Sequence, residues 1–370
     1  MIKSVVTAML LALAAAAWAQ APIVIKFSHV VAPDTPKGRA ATLFRQLVEQ
    51  RTGGKVVVEV YPNSQLFKDG EEMEALQLGA VQMLAPSMSK FGPLGLPEFE
   101  LFDLPYIFPD RTVLRRVLDG EIGKNLLKRL ETKGIVGLAF WDNGFKVMSA
   151  NRPLHTVADF KGLKMRIKSS KVLDAQMRAL GALPQVMAFS EVYQGLQTGV
   201  VDGTENSPPN LYTQKMYEVQ KYVALSNHGY DGYAVIANKK FWDGLPADIR
   251  TTLVVAMRDA TVYENKLSLK ENEDSISKVK QSGLSSVYAL TVAEQAEWQK
   301  ALLPVHREME GRIGKELIDS VYREATALGY KIGTPSPDTG WQNNAPRRER
   351  GRGAELPPEV PADVRRGSSK

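Results

Sequence analysis

The sequence predicts an α/β protein with two lobes, a hinge between them and one long helix that spans both. Strand-like apolar runs alternate with amphipathic helical patterns along the 370 residues, and that alternation is typical of layered α/β folds. One helical pattern starts at Leu245-Pro246 and continues to Gln281, where Ser282-Gly283 ends it. At 1.5 Å per residue these roughly 36 residues measure about 54 Å, which is longer than one lobe of this size.

Seven elements predict the first lobe, over residues 20–143. Apolar patterns of period 2 and period 3.6 give strand, helix, strand, helix, strand, helix and strand in turn, at 23–28, 37–51, 55–61, 69–78, 81–85, 111–132 and 135–141. Asp69 is the expected cap of the second helix. Asp142-Asn143-Gly144 follows the last strand, and Asn and Gly permit the backbone changes of a hinge.

The second lobe is predicted over residues 144–231 and 272–330, while residues 232–271 are expected to belong to the first lobe. The strand Tyr233 to Ala237 makes the return, and the long helix then crosses to the second lobe. Ser169 and Ser170 cap a helix that follows a short strand ending at Ile167. Elements at 287–289 and 293–327 complete the second lobe.

The N-terminus has the pattern of a secretory signal peptide, over residues 1–19. Lys3 supplies a positive charge, Val5 to Ala17 is a short apolar stretch, and Ala17-Trp18-Ala19 is a small-x-small cleavage site. This apolar stretch is too short to cross about 30 Å of hydrocarbon. An uncleaved anchor is the alternative. We expect the mature chain to begin near Gln20 and to be periplasmic.

The charge of the chain argues against a nucleic-acid partner. Its formal net charge is +6, but residues 331–370 hold eight Lys or Arg against five Asp or Glu, so half of the excess lies there. The remainder is too small for the broad basic surface that phosphate backbones require. Six prolines and few apolar residues predict that this basic, proline-rich tail is disordered. The chain has no cysteine, which excludes disulfides and thiol chemistry.

Arg166 is the best single candidate for contacting a ligand. It alternates with apolar neighbours in Leu163-Lys164-Met165-Arg166-Ile167, so Lys164 and Arg166 share one face of a short strand. A guanidinium offers a planar, permanently charged fork that can meet both oxygens of a carboxylate. The alternative is a solvated or salt-bridged arginine on an exposed sheet face.

No catalytic motif stands out in the sequence. The four histidines, at 29, 155, 228 and 306, do not have the spacing of metal ligands, and the nucleophile-elbow, zinc-protease, P-loop and dinucleotide motifs are missing. We therefore predict a protein that is not an enzyme and that uses no cofactor or metal. A secreted hydrolase or lyase is the alternative, and it would need an acid or base with a perturbed pKa in its cleft.

The segments KGLKMRI and PQVMAFSEVYQGLQTGVVDGTEN, within Asp159 to Asn210, carry the strongest similarity to a known family. Further matching segments are SHVVAPDTPKG (28–38), YPNSQLFKDGEEMEALQLGAVQM (61–83), FDLPYIF (102–108), WDNGFKVMSANRPL (141–154) and NHGYDGYAVIANKKFWDGLP (227–246). Together they resemble the extracytoplasmic solute receptors of tripartite ATP-independent periplasmic (TRAP) transporters, in the C4-dicarboxylate-binding, DctP-type branch. The resemblance covers roughly residues 22–330 and implies the two-lobed fold of periplasmic binding proteins.

The resemblance implies ligand contacts for four residues by their positions. Arg166 falls on the family's carboxylate-binding arginine, Asn206 on its ligand-contacting asparagine, and Phe189 on an aromatic residue that packs against the ligand. Lys146 departs from the pattern, because many members have a second arginine there, and a lysine suggests a looser contact to a second carboxylate. Without the resemblance, Asn206 in its Gly-rich turn would bond its own backbone, and Phe189 would be ordinary core.

Further candidates lie where an open α/β sheet presents its ligand crevice, or where the chain crosses between the lobes. Those in loops or helix starts of the first lobe are His29, Glu72, Ser87 and Lys90. Glu72 is also explained as a helix-start residue favoured by the helix dipole. Tyr230 and Tyr233 flank the return crossing, where they line the cleft or pack in the core.

The family resemblance implies a monomeric periplasmic receptor that captures a C4-dicarboxylate, such as succinate, malate or fumarate, between its lobes. Its partners would be this small organic acid and the small and large membrane subunits of a TRAP permease. A monocarboxylate, a 2-oxoacid or a uronate is the alternative ligand, because the pocket volume depends on side-chain positions that the sequence does not give. A ligand-sensing module of a signalling receptor could have the same fold.

Overall fold

The computed structural model describes residues 21–332. The predicted signal peptide and nearly all of the predicted tail, from residue 333 onward, lie outside the described residues. In the part of the chain that the structure describes, no helix combines the length and the apolar character needed to cross a membrane.

The strands of the described chain form two separate sheets. They are β1 (Ile23–Ser28), β2 (Val56–Tyr61), β3 (Met83–Leu84), β4 (Ile135–Phe145), β5 (Val147–Ala150), β6 (Lys164–Ile167), β7 (Leu183–Val186), β8 (Gly203–Asn206), β9 (Tyr222–Leu225), β10 (Tyr230–Asn238) and β11 (Ser286–Ala289). The first sheet has the order β2-β1-β3-β10-β4, and the second has the order β11-β9-β5-β8-β6-β7. Both sheets mix parallel and antiparallel pairs, and strands β1, β3, β6 and β8 bring their carboxyl ends to the region between the sheets.

Helices cover the faces of both sheets, as the sequence predicts. They are α1 (Pro36–Thr52), α2 (Glu72–Gln77), α3 (Arg111–Asp119), α4 (Glu121–Arg129), α5 (Lys171–Ala179), α6 (Val192–Gln197), α7 (Pro208–Thr213), α8 (Lys239–Asp243), α9 (Ala247–Ser282), α10 (Val292–Leu302), α11 (Pro304–Ile313) and α12 (Lys315–Ala327). Ser170 caps α5 by accepting a hydrogen bond from the Leu173 backbone N–H, so this predicted cap is confirmed. Together the sheets and helices form the predicted α/β fold with two lobes.

The long helix α9 contains 36 residues and ends at Gly283 in the left-handed conformation. Its first half packs Leu253 and Met257 into the core beside the first sheet. Its last turns pack Ile276 and Val279 into a cluster of the second sheet. The prediction of one helix that spans both lobes is therefore confirmed, and the helix joins two cores that otherwise have separate sheets.

The chain crosses from one sheet to the other through Lys146, which separates β4 from β5. β10 runs antiparallel to β4 along its whole length, with a register shift between Asp231 and Gly232 beside the crossing. Gly144 has φ +107, a conformation that side-chain-bearing residues rarely adopt. A Cβ atom on Gly144 would lie 2.2 Å from Asn272 Oδ1 of α9, so only glycine lets the crossing strand lie this close to the helix.

We expect Gly144→Ala to lower the free energy of unfolding by more than about 2 kcal/mol. The cost of an alanine at positive φ is added to the cost of a clash between its Cβ and α9. Gly53→Ala is the matched control, since Gly53 is also left-handed, at φ 59, but a Cβ atom added there would meet no other atom within 4 Å. That control should cost about 1 kcal/mol. Urea denaturation measures both variants, and equal losses would contradict the role of the helix contact.

Two predicted elements of the first lobe differ from the structure. The single helix expected at 111–132 is two helices, α3 and α4, because the chain turns at Gly120, where a Cβ would lie 2.5 Å from the Arg116 carbonyl oxygen. Asp69 does not cap a helix, since α2 begins only at Glu72 and Glu71 occupies the cap position. Asp69 instead accepts a hydrogen bond from Phe189 N, across the cleft.

The last two helices, α11 and α12, pack in a cluster that reaches both lobes. Val305 of α11 and Val321 of α12 belong to the same core as Leu114 of α3, and Val172 of α5 completes it. These helices therefore contact the first-lobe helix α3 and the second-lobe helix α5. The lobe limits drawn from the sequence, including the assignment of residues 272–330 to the second lobe, stay a prediction.

Candidate ligand-binding cleft

A cleft lies between the two sheets, at the carboxyl ends of their parallel strands. Its space, counted together with its opening to solvent, is about 370 Å³. The residues that line it are Val30, Val31, Asp69, Glu72, Ser87, Lys90, Arg166, Lys168, Phe189, Asn206, Asn210, Asp231 and Tyr233. Three carboxylates and three cations are among them, so the lining is rich in charge and its formal charges balance.

Arg166 points into this cleft from β6 and is almost completely buried, with 2% of its surface exposed. Its Nε and Nη2 donate to the carbonyl oxygen of Met187 at 3.0 and 2.9 Å. These two bonds fix the plane of the guanidinium, which has five N–H groups in total. This burial contradicts the alternative of a solvated arginine on an exposed sheet face, whereas the alternative of a salt-bridged arginine is not tested, because Asp69 Oδ2 lies 4.0 Å from Nη2.

Lys168 is a second cleft cation that the sequence reasoning missed. Its Nζ lies 2.6 Å from Asp231 Oδ1 and 3.0 Å from Ser87 Oγ. Burial alone would lower the pKa of Lys168, but Asp231 outweighs it and raises the pKa above its ordinary value. Period-2 alternation places Lys168 on the same strand face as Arg166, but it places Lys164 there too, and Lys164 does not line the cleft, so alternation alone would not have found Lys168.

Asp69 connects the two sides of the cleft. Its Oδ2 pairs with Lys90 Nζ at 2.7 Å and lies 4.0 Å from Arg166 Nη2, and its Oδ1 accepts a hydrogen bond from Phe189 N. Burial alone would raise the pKa of Asp69, but Lys90 and then Arg166 lower it below its ordinary value. Asp69 is therefore an anion held beside the arginine that is the best candidate for binding a carboxylate.

Asn206 lies at the end of β8 and not in the turn that the sequence suggested. Its Oδ1 accepts hydrogen bonds from Ser207 N and from Asn210 Nδ2, both at 3.0 Å. Because the carbonyl oxygen is already bonded, the amide group of Asn206 is oriented as a donor toward the cleft, which it lines. Phe189 and Tyr233 supply the aromatic part of the lining, and the Phe189 ring centre is 5.9 Å from the Arg166 guanidinium carbon.

Three of the predicted contact residues do not line the cleft. Lys146 is fully buried at the lobe crossing, and its Nζ pairs with Glu205 Oε2 at 2.8 Å. His29 is buried, and burial followed by the charge of Lys37 lowers its pKa to about 3, so that it is neutral at physiological pH. Tyr230 packs against Phe102, Phe108 and Phe145 in the core. The other seven predicted residues lie together in the lining, where a ligand contact stays a prediction.

Two α/β lobes, a hinge and a charged cleft between them define a protein that binds a small solute. The family model for bacterial extracellular solute-binding proteins, family 7, matches residues 27–312, and the chain belongs to that family. The family resemblance inferred from the sequence is thus confirmed.

Curated relatives match over most of their length. The C4-dicarboxylate-binding periplasmic protein DctP of Rhodobacter capsulatus is 64% identical over 321 residues, which are 87% of this chain and 96% of the relative. The C4-dicarboxylate-binding protein DctB of Bacillus subtilis is 43% identical over 300 residues, which are 81% of this chain and 85% of the relative.

Solved structures share the fold. A TRAP periplasmic solute-binding protein from Sulfurospirillum deleyianum, with bound succinate, is 48% identical and has a TM-score of 0.80, over 82% of this chain and 99% of that chain. One from Pseudomonas aeruginosa, with bound L-malate, is 43% identical with a TM-score of 0.76, over 78% of this chain and 100% of that chain.

Proposed function

We propose that the protein is a TRAP transporter receptor that captures a C4-dicarboxylate in its cleft and delivers it to the small and large membrane subunits of a permease. The observation that carries this proposal is the pair of cations at the end of β6 in the cleft, the buried Arg166 and the partly buried Lys168, whose side chain is 11% exposed. A dicarboxylate has two anionic groups, and each of the two cations can donate charge-assisted hydrogen bonds to one of them.

The residues around these cations suggest distinct tasks. The planar fork of Arg166 would hold the first carboxylate, and Asn206 would donate a hydrogen bond to it. Lys168, which is shared with Asp231, would contact the second carboxylate. In this assignment Lys168 contacts the second carboxylate, a role that the sequence suggested for Lys146, because Lys146 forms a buried ion pair with Glu205.

Closure of the lobes would complete the site. Ser87 follows β3 of the first sheet and bonds to Lys168 at the end of β6, and Asp69 of the first lobe accepts from Phe189 of the second. Residues of both lobes are therefore within bonding distance across the cleft. A ligand held between them would exchange its hydration for charge-assisted hydrogen bonds from both sides.

The proposal includes export to the periplasm through cleavage of residues 1–19, and a role in transport without catalysis. Relatives with other ligands keep alternatives open, since a structure with bound galactonate is 32% identical to this chain and one with bound β-D-galacturonate is 28% identical. The structures with bound succinate or L-malate are 43–48% identical, which favours the C4-dicarboxylates.

Thermal unfolding of the mature protein with a panel of organic acids tests this function. Succinate, malate and fumarate, each at 100 times its Kd, should stabilise the fold by about 2.7 kcal/mol. Acetate, pyruvate and galacturonate at the same concentrations should stabilise it far less. Recovery of unchanged succinate after incubation would separate a receptor from a hydrolase or lyase. Stabilisation by galacturonate alone would contradict the C4-dicarboxylate assignment and favour a sugar-acid receptor.

A further inference from the structure

The cleft contains one carboxylate that has no cation of its own inside the lining. Asp69 pairs with Lys90 and Asp231 pairs with Lys168. With these two ion pairs counted, the remaining charged residues of the lining are Arg166, which is positive, and Glu72, which is negative when ionised. A dianion in this cleft would add two negative charges to a lining whose net charge is zero. Buried charge without compensation is costly, and one further positive charge or one fewer negative charge in the lining would halve the excess.

Glu72 is placed to make that adjustment. It starts α2, lines the cleft, and has only 1% of its surface exposed. Its Oε1 is buried and forms no hydrogen bond with any residue in the described range 21–332. Protonation of the carboxylate would remove one negative charge from the cleft and would create an O–H donor. The groups that face Glu72 are Lys37 of α1, Lys90 of the first lobe and Asp69.

Lys37 is the second member of a buried pair, since its charge acts on Glu72 and that of Glu72 acts on it. Its Nζ donates to the Ala85 carbonyl oxygen at 2.9 Å and sits 3.6 Å from the centre of the Tyr233 ring, which lines the cleft. Besides Glu72, the charged or titratable groups around Lys37 are Asp69, Asp231, Glu264 and His29. Burial is the main effect on both members of the pair, since it raises the pKa of Glu72 to about 7 and lowers that of Lys37 to about 8.

We propose that the Glu72–Lys37 pair takes up a proton from solvent when the cleft binds a dicarboxylate dianion, an inference that rests on the proposed function. The proton adds to a Glu72 carboxylate oxygen, while Lys37 keeps its charge. The anion favours this step because it stabilises the protonated, more positive form of the pair. The receptor would therefore bind succinate together with a fraction of a proton near neutral pH.

The sign of the pH dependence follows from this linkage. A bound anion raises the pKa of Glu72, so in the neutral range, where the ligand is a dianion, the affinity falls as the pH rises. If the bound dianion raises the pKa of Glu72 by one unit from about 7, succinate binding should weaken about fourfold between pH 7 and pH 8.5. The same rise corresponds to uptake of about 0.4 proton at pH 7. A site without such a group would bind a fully ionised dianion with constant affinity over this range.

Isothermal titration calorimetry of the mature protein with succinate, in two buffers of different ionisation enthalpy, counts the protons directly. We expect uptake of about 0.4 proton at pH 7 for the natural sequence, and none for Glu72→Gln/Lys37→Met. The double variant removes both members of the pair, so that neither buried charge is left alone. Glu264→Gln is the matched control, because Glu264 is a buried carboxyl outside the cleft lining, and it should keep the uptake.

The outcomes separate this inference from the proposed function. Absence of binding by any C4-dicarboxylate would overturn the function itself. Succinate binding with no proton uptake at pH 7 and pH 8 would overturn only the inference, and the natural sequence alone decides this if the double variant does not fold. Uptake that persists in a folded double variant, or that disappears in Glu264→Gln, would also overturn it, because another group would then carry the proton.

Discussion

Arg166→Lys is expected to weaken succinate binding by at least about 30-fold, or roughly 2 to 4 kcal/mol, while the protein stays folded. A lysine keeps the positive charge but loses the planar fork that meets both carboxylate oxygens. The structure adds a second reason, because Nε and Nη2 of Arg166 both donate to the Met187 carbonyl oxygen. A single ammonium cannot hold that carbonyl and also present two parallel N–H groups to a ligand.

Calorimetry with succinate and thermal unfolding without ligand test this prediction together. Arg178→Lys is the matched control, since Arg178 is an exposed arginine of α5 that pairs with Asp174 one turn away. It should leave affinity unchanged. Succinate binding of natural strength in a folded Arg166→Lys variant would remove Arg166 from the proposed site.

The features that the sequence predicted correctly depend on local patterns. The apolar positions of α9 repeat over 36 residues, and its end at Gly283 has an ordinary glycine signal. The alternation of polar and apolar residues around Arg166 predicts the short strand that carries it, whereas its role as a ligand contact comes from the family resemblance. Such patterns need no knowledge of what packs against them, and for that reason the fold could be predicted from the sequence.

The features that were missed depend on contacts between distant segments. The local sequence does not distinguish Lys146 from Lys168, because each is a single lysine near a strand end. The register of β5 against β8 places Val147 opposite Asn206, which brings Lys146 next to the carboxylate of Glu205. Lys168 instead meets Asp231 and Ser87 from the other sheet. Which lysine faces the cleft is therefore decided by strand pairing across about 60 residues, which local periodicity does not contain.

The same reason explains the helix that breaks at Gly120. Its apolar pattern continues through residues 111–132, so period alone predicts one helix. The backbone at Gly120 instead turns so tightly that a side chain would contact the Arg116 carbonyl oxygen. The turn lets α4 and α3 each bury an apolar face, Leu126 on one and Leu114 on the other, in the same core.

Lys146→Met is expected to lower the free energy of unfolding by about 3–5 kcal/mol, the usual cost of removing one member of a buried ion pair. Lys146 and Glu205 are almost fully buried, and His228 Nε2 lies 3.0 Å from the same carboxylate oxygen, Glu205 Oε2. Burial alone would raise the pKa of Glu205, but Lys146, followed by His228, holds it well below its ordinary value. Without Lys146 the carboxylate is a buried charge with inadequate compensation.

The pH dependence of this loss identifies its cause. In the natural sequence Glu205 has a lowered pKa, so its contribution to stability is present above the unfolded pKa and is lost as the pH falls. In Lys146→Met burial raises that pKa, and the folded variant accepts a proton more readily than the unfolded chain. The difference in stability between the two proteins should therefore shrink as the pH falls from 7 to 5, measured by urea denaturation at each pH.

Two further variants distinguish a structural lysine from a ligand-binding one. Lys146→Met/Glu205→Gln should regain part of the lost stability, because the unpaired charge is gone. Lys315→Met removes an exposed ion pair with Asp319 and should be as stable as the natural sequence.

Lys168→Met should weaken the binding of succinate more than that of a monocarboxylate of similar size, since only the dicarboxylate has a second anionic group that would lose its partner. If Lys146→Met showed that ligand selectivity and natural stability, the second-carboxylate role would return from Lys168 to Lys146.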